Sequence, residues 1–498
     1  MPVRLLSREQ GWLLPHSLED LLPQDHPVRF VGVFVDQLDQ AAWAELGVRA
    51  GGEERGAPAY HPRLLLSVWL YGFMTGVRSS RKLEAACREQ LPYLWLTGLQ
   101  TPDHNTLWRF YQEHREGMRR LLKRTVKTAV AAGLIDLALQ AVDGSKIAGN
   151  ASKSRTYSSA GLERLLKRTE AAIADLEAQN QTGGEPLPPR LPEKLRQKQA
   201  LAEKVRQALQ RVQEDEGRTN LTDPEAVLLR GKDGIVAGYN VQAVVSPLSQ
   251  AAGRRGQLIT AAAVTQAPDD HAQLLPMVAA AAANLGEPAE TTLADAGYHS
   301  GENLDGMAER GQSVLMPEAQ AKALANPYHK DAFAYDAETD TYTCPLGQTL
   351  RYSTDRRDRK GRPARIYRAT PSVCRVCPAF GQCTKDYRHG RALEIGPDEG
   401  PLRRHRDLMA TAKAQSLYSR RKELIEPTFG IIKEQQSARR LLLRGLSNVD
   451  AEWVLLAVAF NLRTLAQIWR SRLAPLLRAR HFWLHRFFAL PPRPRLVI

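Results

Sequence analysis

Residues 137–146 read LALQAVDGSK, and this stretch decides the fold class. Leu137 to Val142 is a short apolar run that ends in Asp143 and Gly144. A run of this length closed by turn-forming residues reads as a buried strand. Residues 290–300, ETTLADAGYHS, repeat the form: a short strand from Glu290 to Leu293, then Ala294-Asp295-Ala296-Gly297-Tyr298. Around them, Gly234 to Val245, Gln257 to Val264 and Ser313 to Met316 read as strands. Asp270 to Leu285 reads as an Ala-rich helix, and another helix starts at Gly301. The order strand, long insert, two strands, helix, strand, helix, strand predicts an α/β sheet with helices packed on it. Strand ends in such sheets converge on the ligand side, so carboxylates at Asp143 and Asp295 can share hard cations there.

Outward from this core the character of the chain changes. Residues 1–135 read as mostly helical. Pro62 opens an apolar helix to Thr75, Ser80 reads as an N-cap with Glu84 in its first turn, and Thr101-Pro102-Asp103 leads into another helix carrying Leu107, Trp108 and Phe110. Short helices separated by turns suit a helix-turn-helix-like DNA reader or a plain bundle. Residues 155–218 form a charged helical hairpin broken at Gly183-Gly184-Glu185-Pro186, and Ser416 onward is helical again. The expected organisation is a helical N-terminal DNA-binding region at 1–135 and a first part of the α/β core at 136–154. The hairpin insertion at 155–218 and more of the core at 219–317 follow. A Cys-containing basic insertion at 318–400, core helices at 401–468 and a basic tail at 469–498 complete it.

The 498 residues hold 69 Lys and Arg against 54 Asp and Glu, a net charge of +15, which points to a polyanionic partner. With 43% hydrophobic and 25% charged residues the balance is that of a soluble globular protein, not a disordered or collagenous one. There is no long uncharged apolar run and no apolar signal core after Met1-Pro2-Val3-Arg4, so a cytoplasmic protein is expected. Of the five cysteines, Cys87 sits alone on a predicted helix and reads as core. The other four are Cys344, Cys374, Cys377 and Cys383. The Cys374–Cys377 spacing fits two thiolates on one structural zinc, and free cytosolic thiols are the alternative. The flank with Arg356, Arg357, Arg359, Lys360 and Arg362 suits phosphate contact or a solvated loop.

Other polar residues have a plain reading beside a functional one. Asn240 and Gln242 share one face of a strand, facing a ligand or simply marking a polar strand edge. His299 reads as an exposed loop residue or a phosphate contact, and Asp269, Asp270 and His271 as an acidic helix N-terminus or a ligand cluster, the first reading preferred in each case. Lys422, Glu426 and Lys433, four and seven residues apart, share one face of a continuous helix. Pro427 breaks or kinks an interior helix, so the helix is expected to begin or bend near Glu426.

Four segments together resemble the bacterial insertion-sequence transposases of the DDE class, whose catalytic domain is ribonuclease-H-like. They are AVDGSKIAGNA at 141–151, NLTDPEA at 220–226 followed by VAGYNVQ at 236–242, LADAGYHS at 293–300, and Tyr418 to Arg421 with IEPTFGIIK at 425–433. The resemblance spans about residues 15–470. It implies that Asp143, Asp295 and Glu426 hold two divalent ions, Mg2+ or Mn2+, that activate water to nick DNA at the element's ends. The freed 3′-hydroxyl then attacks target DNA with no covalent protein–DNA intermediate. It further implies that Lys422, Lys433 and Arg421 contact DNA, and that a homodimer pairs terminal inverted repeats with target DNA. The family's Glu-to-Lys step is matched, whereas Tyr418 and Arg421 sit eight and five residues before Glu426, which departs from the family spacing. A catalytically inactive DNA-binding relative and a stand-alone metal-dependent nuclease are the alternatives, because a nuclease uses the same phosphodiester chemistry.

Overall fold

A computed structural model describes residues 17–48, 60–181, 191–215, 217–231, 234–318, 326–357 and 361–487. The first helices are α1 (Leu18–Leu21), α2 (Pro27–Asp36), α3 (Gln40–Glu45), α4 (Pro62–Thr75), α5 (Ser80–Glu89), α6 (Leu91–Thr97), α7 (His104–Met118) and α8 (Leu121–Ala131). Then come β1 (Leu139–Ala148), β2 (Thr156–Ser158), α9 (Ser159–Gln181), α10 (Leu191–Asp215), β3 (Arg218–Asn220), β4 (Val227–Gly231), β5 (Gly234–Pro247) and β6 (Gln257–Thr265). After them lie α11 (Leu274–Leu285), β7 (Thr291–Leu293), α12 (Gly301–Glu309), β8 (Ser313–Leu315), β9 (Ala334–Asp336), β10 (Thr341–Thr343), β11 (Thr349–Arg357) and β12 (Pro363–Ala369). The chain continues through α13 (Pro371–Arg375), β13 (Ala392–Ile395), α14 (Glu399–Ala410), α15 (Ala412–Glu434) and α16 (Leu446–Phe487). The class is mixed α/β. Among the described residues no helix is long and apolar enough to cross a membrane.

The chain divides into two compact units. The first takes residues 1–136, 145–268 and 426–498. Its centre is α16, against which α2, α4 and α8 pack. Helix α4 is buried from Leu64 through Met74, as expected of a central helix rather than an amphipathic surface one. Its ends follow from sequence: His61 accepts from the Arg63 N–H, Pro62 takes the first helical position, and Gly76 closes it at φ 80°. The start of α5 is shifted by one residue from the expected Ser80. Ser79 is the N-cap, without a side-chain bond, and Glu84 accepts from the backbone N–H of His104.

In the same unit β5 pairs antiparallel with β4 and β6, and β1 is its other neighbour. A Cβ at Gly238 would lie 2.1 Å from the Ile147 carbonyl oxygen, so only glycine lets β5 approach the second half of β1. Helix α16 covers β6 with polar side chains set into an apolar helix. Asn461 accepts from the Ile259 N–H and donates to the Ile259 carbonyl, both at 2.8 Å, and Asp450 accepts from the Val264 N–H at 2.8 Å. Each satisfies strand backbone that burial would otherwise leave unpaired. Asn240 and Gln242 are wholly buried, not a polar edge: Gln242 donates to Asn240, which donates to the Ala267 carbonyl. Helices α9 and α10 pack through Leu162, Val205, Ala208 and Val212. Residues 183–186, 359 and 360, as well as 488–498 of the basic tail, lie outside the described residues.

The second unit takes residues 137–144 and 269–425. Here β1 pairs parallel with β7, and β7 parallel with β8. The segment expected as a Cys-containing basic insertion forms an antiparallel sheet, ordered β13-β12-β11-β10-β9. Its core is Phe333, Tyr342, Leu350, Tyr367, Ala369 and Leu393. Arg362 is not free for phosphate; it pairs with Asp398.

Candidate active site

The register of two parallel strands brings the first two acids together. Pairing of β1 with β7 ends at Ala141 opposite Leu293. Asp143 and Asp295 each lie two residues beyond that pair, so the two-residue repeat directs both to the same side of neighbouring strands about 4.8 Å apart. Asp143 does not close its strand as expected, because β1 runs on to Ala148. Asp295 does follow the end of β7; it caps the short turn Ala296–Tyr298 and accepts from the Gly297 N–H at 2.8 Å.

Arg421, from α15, meets both carboxylates with one nitrogen: Nη2 lies 3.0 Å from Asp143 Oδ2 and 3.9 Å from Asp295 Oδ2. The three side chains remain 14%, 19% and 38% exposed, for Arg421, Asp143 and Asp295 respectively, so the cluster opens to solvent on the Asp295 side. Arg421 Nε is buried with no hydrogen-bond partner among the described residues. Burial pushes Asp143 up to about 6; Arg421 opposes the shift, while Asp295 and Asp270 reinforce it.

Asp270 is the acid that sequence reasoning passed over as a helix terminus. It precedes the short turn His271–Gln273 and makes no side-chain cap bond there. A Cβ on Gly297 would lie 3.0 Å from Asp295 Oδ1 and 3.8 Å from Asp270 Oδ2, which places both carboxylates beside the same turn. Its sequence signal was weak, because an Asp before a helix is more often a cap. Tyr298 and Tyr418 also border the cluster. Burial raises both phenols, and Asp143 and Asp295 push them the same way.

Helix α15 carries the remaining predicted residues, and it corrects the expectation at Pro427. The helix runs unbroken from Ala412 to Glu434 with Pro427 inside. Glu423, whose carbonyl loses its donor to Pro427, is exposed, so water can meet it. Arg421 belongs to the second unit, whereas Glu426 opens the last segment of the first. Glu426 and Lys422 are exposed. Lys433 donates to Ser145 Oγ at 2.8 Å and lies 5.9 Å from the centre of the Phe429 ring. Ser145 is two residues beyond Asp143 on β1, so the strand of the first acid and the helix of the Glu meet through this bond.

Two family models match the chain: "Transposase DDE domain" over residues 343–466 and "Transposase domain (DUF772)" over residues 16–113. The chain is thus similar to transposases over two separate segments, each shorter than half of its length. No curated protein and no solved structure matches it. The DDE match contains Arg421, Glu426, Lys433 and all four clustered cysteines, while Asp143 and Asp295 precede it.

No group of three or more His, Cys, Asp or Glu side chains among the described residues is gathered closely enough, as it stands, to hold a metal ion. The donor chemistry at Asp143 and Asp295 still suits a hard divalent cation. Two carboxylates stand side by side, one of them costly to ionise, and a guanidinium supplies their positive charge. His299 is half-buried rather than an exposed loop residue, with its ring 5.5 Å from that of His405. Burial lowers both imidazoles, His405 to about 4. Cys87 is buried, as expected of a core thiol.

Proposed function

We propose that this chain is a DNA transposase that cuts and joins phosphodiesters at insertion-sequence ends, with Asp143, Asp295 and Glu426 as its metal-holding acids. The observation that carries the reading is the pair of aspartates, 152 residues apart in sequence, sharing Arg421. Asp143, Asp295 and Glu426 would hold a divalent ion, Mg2+ or Mn2+, which would supply charge for the phosphoryl group and activate the attacking oxygen. The chain's own residues bind and orient the DNA. Arg421 has an unused Nε donor for a phosphodiester oxygen, Lys433 is anchored on Ser145 one strand step from Asp143, and the exposed Lys422 extends the basic face of α15. A ribonuclease-H-like core is supported by the antiparallel β5–β6 pair next to β1 and by the parallel run of β1, β7 and β8.

In the same reading the helices of residues 1–135 recognise terminal repeats, 155–218 and 318–400 are insertions into the core, and 469–498 is a basic tail on DNA. The core itself is made of 136–154, 219–317 and 401–468. The enzyme works as a homodimer on nucleoid DNA in the cytoplasm, pairing the two element ends with the target.

The test is cleavage of linear DNA carrying the element's terminal repeats, with Mg2+ or Mn2+, alongside DNA binding. Asp143→Asn, Asp295→Asn and Glu426→Gln should each lower end cleavage by about three orders of magnitude or more while binding persists. A wild type that binds the repeats and never cuts them would instead be a DNA-holding relative. Cutting without joining would make the protein a nuclease.

A further inference from the structure

We infer that Cys344, Cys374, Cys377 and Cys383 form a structural zinc site that fastens the antiparallel sheet β9–β13. Thirty residues separate Cys344 from Cys374, yet all four thiols line one cavity of about 30 Å3, large enough for a single ion or water. The remaining wall is largely apolar, with Leu350, Ala369 and Phe380. Each cysteine is half-buried and none is in a disulfide.

The backbone is shaped to receive sulfur that carries negative charge. The Gln348 N–H donates to Cys344 Sγ at 3.2 Å, inside a turn closed by Cys344 N–H to the Gln348 carbonyl at 2.8 Å. The Arg391 N–H points at Cys374 Sγ from 3.5 Å. The preceding Gly390, at φ 68°, leaves space that a Cβ would take, 3.3 Å from that sulfur. Amide donors to the ligand sulfurs are what a thiolate site needs around it. The Cys374–Cys377 turn is closed by the Cys377 N–H on the Cys374 carbonyl, which sets two thiols on one side of the cavity.

The sheet also needs a fastener. Between β9 and β13 its core amounts to Phe333, Tyr342, Leu350, Tyr367, Ala369 and Leu393, and three of the four cysteines pack against them. An apolar core this small seldom holds a sheet without a disulfide or a metal. Four thiolates give a closed tetrahedral zinc site with sulfur about 2.3 Å from the metal. Among the described residues no such group is gathered as it stands, so binding draws the sulfurs inward. Cys377 and Cys383 sit between α13 and β13, outside regular helix and strand, where the chain can follow. Binding releases one proton from each thiol, so it weakens as pH falls.

The experiment measures metal content of the full chain purified without chelator, by elemental analysis, and then titrates metal-free chain with Co2+. The expected result is about one zinc per chain and a sulfur-to-cobalt charge-transfer band. Both should be lost in the Cys374→Ser, Cys377→Ser double variant and kept in Cys87→Ser. Should the double variant not fold, wild-type chain treated with a thiol-specific mercurial should release its zinc to a chelating dye. A wild type that takes up neither zinc nor cobalt, with thiols equally reactive before and after zinc is added, overturns the site. So does zinc that stays bound after all four thiols are blocked. DNA cleavage is not read in any arm, so the outcome is separate from that of the transposase reading.

Discussion

Two arginine–carboxylate clusters, one in each unit, show how differently the same chemistry can be built. In the first unit Arg78 and Glu452 are 4% and 2% exposed and lie 2.6 Å apart. Glu452 also accepts from the Leu442 and Leu443 N–H groups, and Arg78 donates to the Ser437 and Arg440 carbonyls. Burial raises the carboxyl, and Arg78 and the two amides oppose it. In the second unit one Arg421 nitrogen serves two aspartates, and Asp295 is more than a third exposed. The first cluster ties α16 to the loop Ser437–Leu443 and closes every acceptor on its acid. The second leaves its acids open on one side, the condition in which a cation can take the guanidinium's place.

The contrast can be broken most sharply at Glu452. Glu452→Ala leaves Arg78 buried without its counter-charge and should cost about 3–5 kcal/mol of unfolding free energy in urea titrations at neutral pH. An equally large loss in Asp295→Ala would mean that the open cluster is structural after all.

A medium effect is expected at Asp143, with opposite sign. Its folded value lies near 6, above the ordinary aspartate value of 3.8. The folded chain therefore binds more protons than the unfolded one between about pH 4 and 6, and stability falls as pH rises through that window. Asp143→Asn removes the cost of ionisation. It should stabilise the fold at pH 8 by about 1–2 kcal/mol and leave it unchanged at pH 4. A destabilised variant at pH 8 would show that the Arg421 pair outweighs desolvation.

The smallest effect belongs to the bond between the first acid's strand and α15. Ser145→Ala removes the Lys433 anchor and should cost less than about 1 kcal/mol of stability. If Lys433 holds a phosphate, end cleavage should fall about tenfold, a larger response than stability gives. Equal, small changes in both would assign Lys433 to packing.

Much of the core was legible because its elements follow local rules. Apolar runs bounded by Gly and Asp marked β1, β5, β6, β7 and β8, and the charged periodic stretches marked α9 and α10. What was missed broke those rules. Strand β11 is exposed at nearly every position and lined with Arg, so it lacks the alternation that betrays a strand. Pro427 reads as a helix breaker, yet its exposed position in α15 tolerates the missing bond. Asn461 lies in an apolar helix where a polar side chain looks misplaced, because its partner is the backbone of a strand 202 residues away. Asp270 has the local dress of a cap, and only packing carries it to the turn of Asp295.

By itself the sequence determined most elements of the core, the charge that calls for a polyanion, and the family that its four motifs resemble. Those depend on propensity, spacing and composition, which are written locally. Tertiary structure alone decided which charges became neighbours. The parallel register of β1 with β7 set Asp143 beside Asp295, and an unbroken α15 delivered Arg421 to both. Coulomb energy depends on distance in space and on exclusion of water, and neither is a property of position along the chain.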